Sequence, residues 1–415
     1  MVDASKYTPR LLDKRITSLF SELPALLITG PRACGKTTSG RRAATTFVRL
    51  DREREATAFR SDPDAALRSL PEPVLLDEWQ SVPGVLGAVK RAVDDDFRPG
   101  RFILTGSVRD DLVADQWPGT GRLIRLHMYG LTAREQTRNI DGPTFLDRLA
   151  SADIDAFAAP KNDCDLRDYV SLALRGGFPE AALHMSESAR TAWLDGYLTQ
   201  LFTRDAPDVD GARDPARLRR YFEVLALNTA GIVNDKTLYD AAGINRNTAV
   251  AYERLLENMF VLEPVPAWTS NRLSRLVKGA KRYLVDPSLA ATALRLDESA
   301  VLRDGDMLGR LIDTFVAAQI RPELDASTSR PRLYHLREKE GRREIDLIAE
   351  TNGNSIVGIE CKATAAPTSS DAKHLGWLRD TVGARFTVGV VFHTGPRPFM
   401  LEDRIFALPI STLWS

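Results

Sequence analysis

Five short apolar runs punctuate the first third of the chain: "ALLITG" (Ala25 to Gly30), "TFVRLD" (Thr46 to Asp51), "PVLLDEW" (Pro73 to Trp79), "RFILTGS" (Arg101 to Ser107) and "RLIRLHM" (Arg122 to Met128). Polar, helix-compatible stretches separate them. Near-continuous apolar strands alternating with helices predict a parallel sheet covered on both faces, an α/β fold. From about Leu166 to Leu296 the period becomes helical, with "FVLEPV" as a late strand signal. Strand patterning returns after Leu302, in "REIDLIAETNGNSIVGIECKAT" (Arg343 to Thr364) and "RFTVGVVF" (Arg385 to Phe392). These shifts divide the chain into residues 1–150, 166–296 and 302–415, with the acidic, small-residue segment Ser151 to Asp165 as a connector. A chain of 415 residues accommodates about two to four domains. It carries no internal repeat and no low-complexity tract.

The first apolar run leads into "GPRACGKT", Gly30 to Thr37, which fits G-x-x-x-x-G-K-[ST] between a strand and a helix. Glycines let backbone N–H groups curl around phosphate oxygens, Lys36 reaches the β- and γ-phosphates, and the Thr37 hydroxyl can bind Mg²⁺. Gly30, Pro31, Arg32, Ala33, Cys34, Gly35, Lys36, Thr37 and Thr38 are the expected ATP contacts. In "VLLDEW", Asp77 and Glu78 end an apolar strand. Asp77 is placed to hold Mg²⁺ through water and Glu78 to polarise an attacking water; the alternative is that the pair caps the following helix. Thr105 and Ser107 end the next strand, where they either sense the γ-phosphate or form a plain turn. The order of these strands suits the P-loop ATPase branch with a catalytic Glu, in which an inserted strand separates the two motif strands. The chain has no [NT]-K-x-D sequence downstream, which disfavours a guanine-specific site. Arg122, in "GTGRLIRL", is a candidate arginine finger acting in cis or on a neighbouring subunit, with a solvated side chain as the alternative.

"NDKTLYDAAGINRNTAVAYERLLENMFVLEPV" (Asn234 to Val265) patterns as a helix-turn-helix followed by a wing. Leu238 and Ala241 share a face of the first helix, Gly243 permits the turn, and Asn245 caps a second helix whose Val250, Leu255 and Met259 face inward. Arg246, Asn247 and Arg254 then stay exposed, as residues reaching a DNA groove must. Between Gly211 and Arg282 there are 12 basic and 7 acidic residues, an excess that favours phosphate contact. A protein-binding role for the wing is the alternative.

Near the C-terminus, Asn352-Gly353 between two β-rich runs signals a hairpin. Centred on Gly353, it sets Asp346 opposite Glu360 and Glu344 opposite Lys362. Period two gathers these four on one face and sends Ile345, Leu347, Val357, Ile359 and Cys361 to a core face. Two carboxylates directly opposite each other repel unless a cation compensates, and Asp346 and Glu360 are hard oxygen ligands suited to Mg²⁺.

Hydrophobic content of 43% with 27% charged residues is ordinary for a globular protein, and 56 basic residues balance 56 acidic ones. Net charge therefore points to no partner, and any basic surface must be local. Cys34, Cys164 and Cys361 lack metal-ligand spacing and imply a reducing compartment without structural disulfides. Cys34 reads as a small loop residue rather than a redox site. The charged N-terminus lacks a signal-peptide core, and no apolar run approaches the ~20 residues needed to span a bilayer. A cytoplasmic protein with no membrane association is expected.

The whole chain resembles the bacterial and archaeal AAA-type ATPases that carry a C-terminal domain of unknown function. The resemblance runs through "YTPRLLDKRI", "GPRACGKTT", "LLDEWQ", "LTGS", "GGFPEA", the winged segment with "KRYLVDPSLA", and "EIDLIAE…GIECKA". The Asp…Glu-x-Lys hairpin is similar to that of the restriction-endonuclease-like, or PD-(D/E)xK, nuclease fold. This resemblance implies metal held by Asp346 and Glu360, with Lys362 orienting the attacking water. It also implies a further metal ligand in "GRLIDTFVAAQI", where the family usually has Glu and this chain has Asp313, one methylene shorter. The expectation is an Mg-ATP-hydrolysing, DNA-associated homo-oligomer whose nuclease-fold domain cuts under ATP or partner control. Its rival is a nucleotide-controlled switch that binds DNA or protein partners without cutting.

Overall fold

The computed structural model describes residues 7–107, 121–151, 164–205, 214–269, 279–338, 342–351 and 353–415. All five apolar runs of the first third form strands: β1 (Ala25–Thr29), β2 (Thr46–Arg49), β3 (Val74–Asp77), β4 (Phe102–Gly106) and β5 (Leu123–His127). They make one parallel sheet in the order β2-β3-β4-β1-β5. Every residue of β1, β3 and β4 is buried, which explains their unbroken apolar runs. One face packs under Trp79, Val85 and Val89, and the other under Leu12, Ile16 and Phe20. β4 lies between the phosphate-loop strand β1 and the acid-bearing strand β3, the inserted-strand order expected from sequence.

The middle of the chain is helical. Helices Asp235–Ala242 and Arg246–Asn258 form the helix-turn-helix, joined through Gly243 in a left-handed conformation that an L side chain disfavours. Asn245 caps the second helix by accepting from the Thr248 N–H at 2.8 Å. One inward assignment fails: Val250 is 54% exposed while Ala249 and Tyr252 turn inward, and on the first helix Leu238 and Ala242 are buried while Ala241 is exposed. The wing is a two-stranded antiparallel sheet of β6 (Leu262–Val265) and β7 (Lys281–Leu284).

Six strands form the C-terminal sheet: β8 (Arg332–Arg337), β9 (Glu344–Glu350), β10 (Ile356–Cys361), β11 (Phe386–His393), β12 (Phe399–Glu402) and β13 (Ile405–Pro409). Their order is β12-β13-β11-β10-β9-β8, with mixed directions. Helix Gly305–Ala326 covers one face and helix Ser369–Val382 the other. The hairpin register is the expected one: Leu347 pairs with Ile359 and Ala349 with Val357. Asn352 lies outside the described residues; within the turn, Asn354 takes the left-handed conformation. The expected face assignment fails at one point. The β8–β9 pairing shifts register between Tyr334 and Leu336, and Ile345 packs with Ile348 and Ile356, away from Leu347, Val357 and Ile359.

The largest core cluster runs from Phe145 and Leu146 through the helical segment to Trp414. Helix Phe145–Ala150, assigned to the first segment by sequence, is thus built into the C-terminal core. Both Glu323 carboxylate oxygens cap it, accepting from Phe145 N and Leu146 N at 3.0 Å. Burial raises the Glu323 carboxyl to about 7, against the pull of those N–H groups.

Candidate functional site

The loop after β1 folds as a nest. Gly30, Ala33 and Gly35 have positive φ, and a Cβ on Gly30 would stand 2.0 Å from the Met128 carbonyl. Lys36, buried at the start of helix Lys36–Arg42, donates to the Gly30 and Pro31 carbonyls at 3.0 and 2.7 Å. Its ammonium is thereby held inside the loop. Arg32 is exposed on the loop and Thr38 on the helix that follows, while the Cys34 thiol turns inward to the Met128 carbonyl at 3.3 Å. Cys34 therefore contributes backbone and packing.

Asp77 and Glu78 meet the loop and β4 through hydroxyl groups. Thr37 Oγ1 donates to Asp77 Oδ1 at 2.7 Å, and Thr105 Oγ1 donates to the same oxygen. Burial pushes the Asp77 carboxyl up, and these two donors pull it back. Glu78 sits in a left-handed backbone conformation, of the strained kind found at functional sites. Ser107 Oγ donates to Glu78 Oε2 at 3.2 Å, and Gln80 Nε2 donates to it as well. Thr105 and Ser107 thus grip one acid each. The residues fit Mg²⁺: Thr37 and Asp77 bring a hydroxyl and a carboxylate to one point beside the phosphate loop.

Residues 22–137 match the AAA domain family model. Residues 166–300 and 308–413 match two further models, both described as domains of unknown function, DUF8612 and DUF4143. Uncharacterized proteins of Mycobacterium tuberculosis and Mycobacterium bovis are each 28% identical to the chain over 400 residues, covering 95% of it and 82% of the relative. Among solved structures, the chain is similar to a Walker-type ATPase of Pyrococcus abyssi, at 16% identity and a TM-score of 0.42 over 71% of this chain and 97% of that one. A DNA polymerase III gamma subunit-related protein from Thermotoga maritima aligns at 14% identity and a TM-score of 0.23, over 76% and 100%.

Arg122 stands away from this centre. β5 runs parallel to β1 with Ala25 beside Leu123 and Thr29 beside His127. Arg122 therefore lies at the end of the sheet where strands begin, roughly 15 Å from the phosphate-loop end at ~3.3 Å per residue. It pairs there with Asp94 at 2.7 Å. That placement sets Arg122 apart from the phosphate loop of its own chain.

Arg10 was not identified from sequence as a site residue. Buried behind the loop, it donates to the Cys34 carbonyl at 2.8 Å, to Tyr129 and Gly130 carbonyls at 2.7 and 3.2 Å, and to Glu135 Oε1 at 3.1 Å. One guanidinium thus ties the phosphate loop to the segment after β5. That segment is pressed against "GGFPEA": Leu131 N donates to the Gly177 carbonyl at 2.6 Å, and Gly177 N donates to buried Asp286 at 2.7 Å. The only sequence signal for Arg10 is its place in "YTPRLLDKRI".

The C-terminal acids are arranged differently from expectation. Asp313 and Asp346 both face Lys281, a β7 side chain only 1% exposed. The ammonium stands 2.5 Å from Asp313 Oδ2 and 2.8 Å from Asp346 Oδ1. Tyr283 donates to Asp313 Oδ1 at 3.0 Å, and the Cys361 N–H donates to Asp346 Oδ2 at 2.9 Å. Burial works against the Lys281 charge, but the two aspartates hold its pKa well above the usual lysine value. Burial lifts Asp313 to about 7; for Asp346 the pull of Lys281 and the Cys361 N–H outweighs burial and keeps it below the usual range. Glu360 is buried with Oε1 unpartnered, and burial followed by the Asp346 charge pushes its carboxyl well up. Lys362 lies 3.5 Å from Glu360, and Glu344 faces Arg337 at 3.8 Å rather than Lys362.

This cluster does not fit a divalent cation. An ammonium already bridges Asp313 and Asp346, and among the described residues no three His, Cys, Asp or Glu side chains are grouped to hold a metal. As arranged here, Asp313 and Asp346 direct their charge to Lys281, and Glu360 lies against Lys362.

On the helix-turn-helix, Arg246, Asn247 and Arg254 are exposed as expected, and Val250 joins them on one face at helical spacing. Part of the local basic excess is internal: Lys281 is buried, and Arg282 pairs with Glu253 and Asp235. No helix among the described residues is long and apolar enough to cross a membrane.

Proposed function

We propose that the chain hydrolyses Mg-ATP and uses the cycle to switch a DNA-docked winged element, without cutting the DNA. The observation that carries this reading is the meeting of Thr37 with Asp77 and of Ser107 with Glu78 at the mouth of a lysine-bearing phosphate loop. In such a site Lys36 neutralises the β- and γ-phosphate oxygens. Thr37 and Asp77 would hold Mg²⁺, which would supply charge stabilisation to the transferring phosphoryl group. Glu78, fixed by Ser107 and Gln80, accepts the proton of the attacking water. The exposed face of Arg246, Asn247, Val250 and Arg254 supports duplex contact: cations for phosphates, an amide for base edges and an apolar side chain for a thymine methyl.

The test is ATP binding and turnover in three proteins. Wild type should bind and hydrolyse, Lys36→Ala should lose binding, and Glu78→Gln should bind without turnover. Full turnover by Glu78→Gln would remove Glu78 as the base.

A further inference from the structure

We propose that the acid cluster of the C-terminal sheet is a receptacle for a lysine ammonium, filled by Lys281 of the winged hairpin, and that this clasp stands in place of a divalent cation. Three observations converge on it. Lys281 and Tyr283 alternate on one face of β7 and both reach Asp313, so the strand presents an ammonium and a phenol to one carboxylate. Asp346, on a strand of a different sheet, offers its second contact to the same ammonium. Its other oxygen is taken by a backbone N–H, so Asp346 is oriented toward Lys281 rather than left to turn.

The chemistry suits an ammonium better than Mg²⁺. A lysine nitrogen carries three donors in a compact tetrahedral head, and here they meet acceptors from helix Gly305–Ala326 and from β9. Mg²⁺ demands six oxygens in near-ideal octahedral order and keeps several waters, which a site sealed by Lys281 and Tyr283 does not supply. The remaining acid, Glu360, has its own partner in Lys362 at 3.5 Å.

The clasp has a mechanical meaning. β7 belongs to the wing, whereas Asp313 and Asp346 belong to the C-terminal unit. With the ammonium in place, the winged element is tied to helix Gly305–Ala326 and to β9 of the C-terminal sheet.

Two measurements on the full chain decide it. In the first, Mn²⁺ is titrated into wild type and Glu360→Gln without nucleotide, and the free-ion resonance signal is followed. Glu360→Gln leaves Lys281 both of its partners, and the two proteins should take up the same number of equivalents. Loss of one equivalent in Glu360→Gln would mean that the cluster is a metal site, and the proposal would fall. In the second, hydrogen exchange is read in the strand Lys281–Leu284. Lys281→Gln should exchange at least about tenfold faster than wild type, with Lys281→Arg between them. Equal exchange in wild type and Lys281→Gln would overturn the clasp. Should Lys281→Gln fail to fold, the Mn²⁺ comparison still decides.

Discussion

Asp77 and Glu78 close a buried strand of the first sheet, while Asp346 and Glu360 lie near the ends of buried strands in the second, yet they are compensated by different partners. Around Asp77 and Glu78 the hydrogen-bond donors are hydroxyls and an amide: Thr37, Thr105, Ser107 and Gln80. Neutral donors orient a carboxylate without cancelling its charge, so the charge stays available to a cation arriving with nucleotide. Around Asp346 the partner is an ammonium from the same chain. Its charge is consumed within the fold. Whether a carboxylate's charge is left open or taken up thus depends on its neighbours, and the neighbours are set by tertiary structure.

The largest expected effect tests this contrast by the same substitution at both ends. Glu78→Gln should lower kcat for ATP by about 10²–10⁴, the usual range for loss of a general base. Glu360→Gln should leave ATP turnover within about twofold, since it touches nothing at the phosphate loop. Steady-state rates of the two proteins, side by side, break the comparison if they fall together.

Next in size is the stability of the clasp. Removing one partner of a buried ion pair costs ~3–5 kcal/mol, and Lys281→Met should lose about that much at neutral pH. The deficit should also depend on pH. In wild type, the raised Lys281 pKa supplies stability that is complete below the ordinary lysine range and lost only above it. Without the ammonium, Asp313 and Asp346 remain buried and titrate higher. Acids whose folded pKa is raised contribute stability at low pH that is lost as pH rises through that value. Denaturant unfolding should therefore show a larger deficit at pH 8 than at pH 5. An equal deficit at both would mean that packing, not charge, accounts for Lys281.

A smaller effect belongs to the recognition face. Replacing Arg246 and Arg254 together with Ala should weaken duplex binding and reduce the slope of log affinity against log salt by about two, one per lost phosphate contact. An unchanged slope would assign the face to a protein partner. The smallest effect is expected at Arg122. Arg122→Ala removes an exposed pair with Asp94 and should change ATP turnover of the dilute protein by less than about twofold. A loss that appears only as protein concentration rises would restore Arg122 as a residue donated between copies.

Local signals carried far in this chain. The first sheet is legible because buried parallel strands must be continuously apolar, and the phosphate loop because its spacing follows from backbone geometry. The hairpin register is legible because pairing is symmetric about its turn, which holds from Leu347–Ile359 to Glu350–Ile356. What fails is longer in range. Lys281 meets Asp346 across 65 residues, and Arg10 meets Tyr129 across 119, so no window contains both partners. Val250 is misplaced because a helix of small and mixed residues leaves its inner face ambiguous within one position. Arg122 is misplaced because strand direction, not sequence distance, decides which end of a sheet a residue occupies.

The helix Phe145–Ala150 has a consequence in time. Its Arg148 donates to the Thr412 carbonyl, 264 residues further along the chain, and Asn139 donates to the Trp414 carbonyl. At roughly 5–20 residues per second, synthesis delivers those acceptors about 13–50 s after the helix itself has emerged. Throughout that interval the apolar side chains of Phe145, Leu146 and Leu149 have no finished core to enter, and long-range closure of this kind is intrinsically slow. A nascent chain stalled before Thr412 would carry an assembled phosphate loop beside an unsealed apolar helix, a ready substrate for chaperones and proteases.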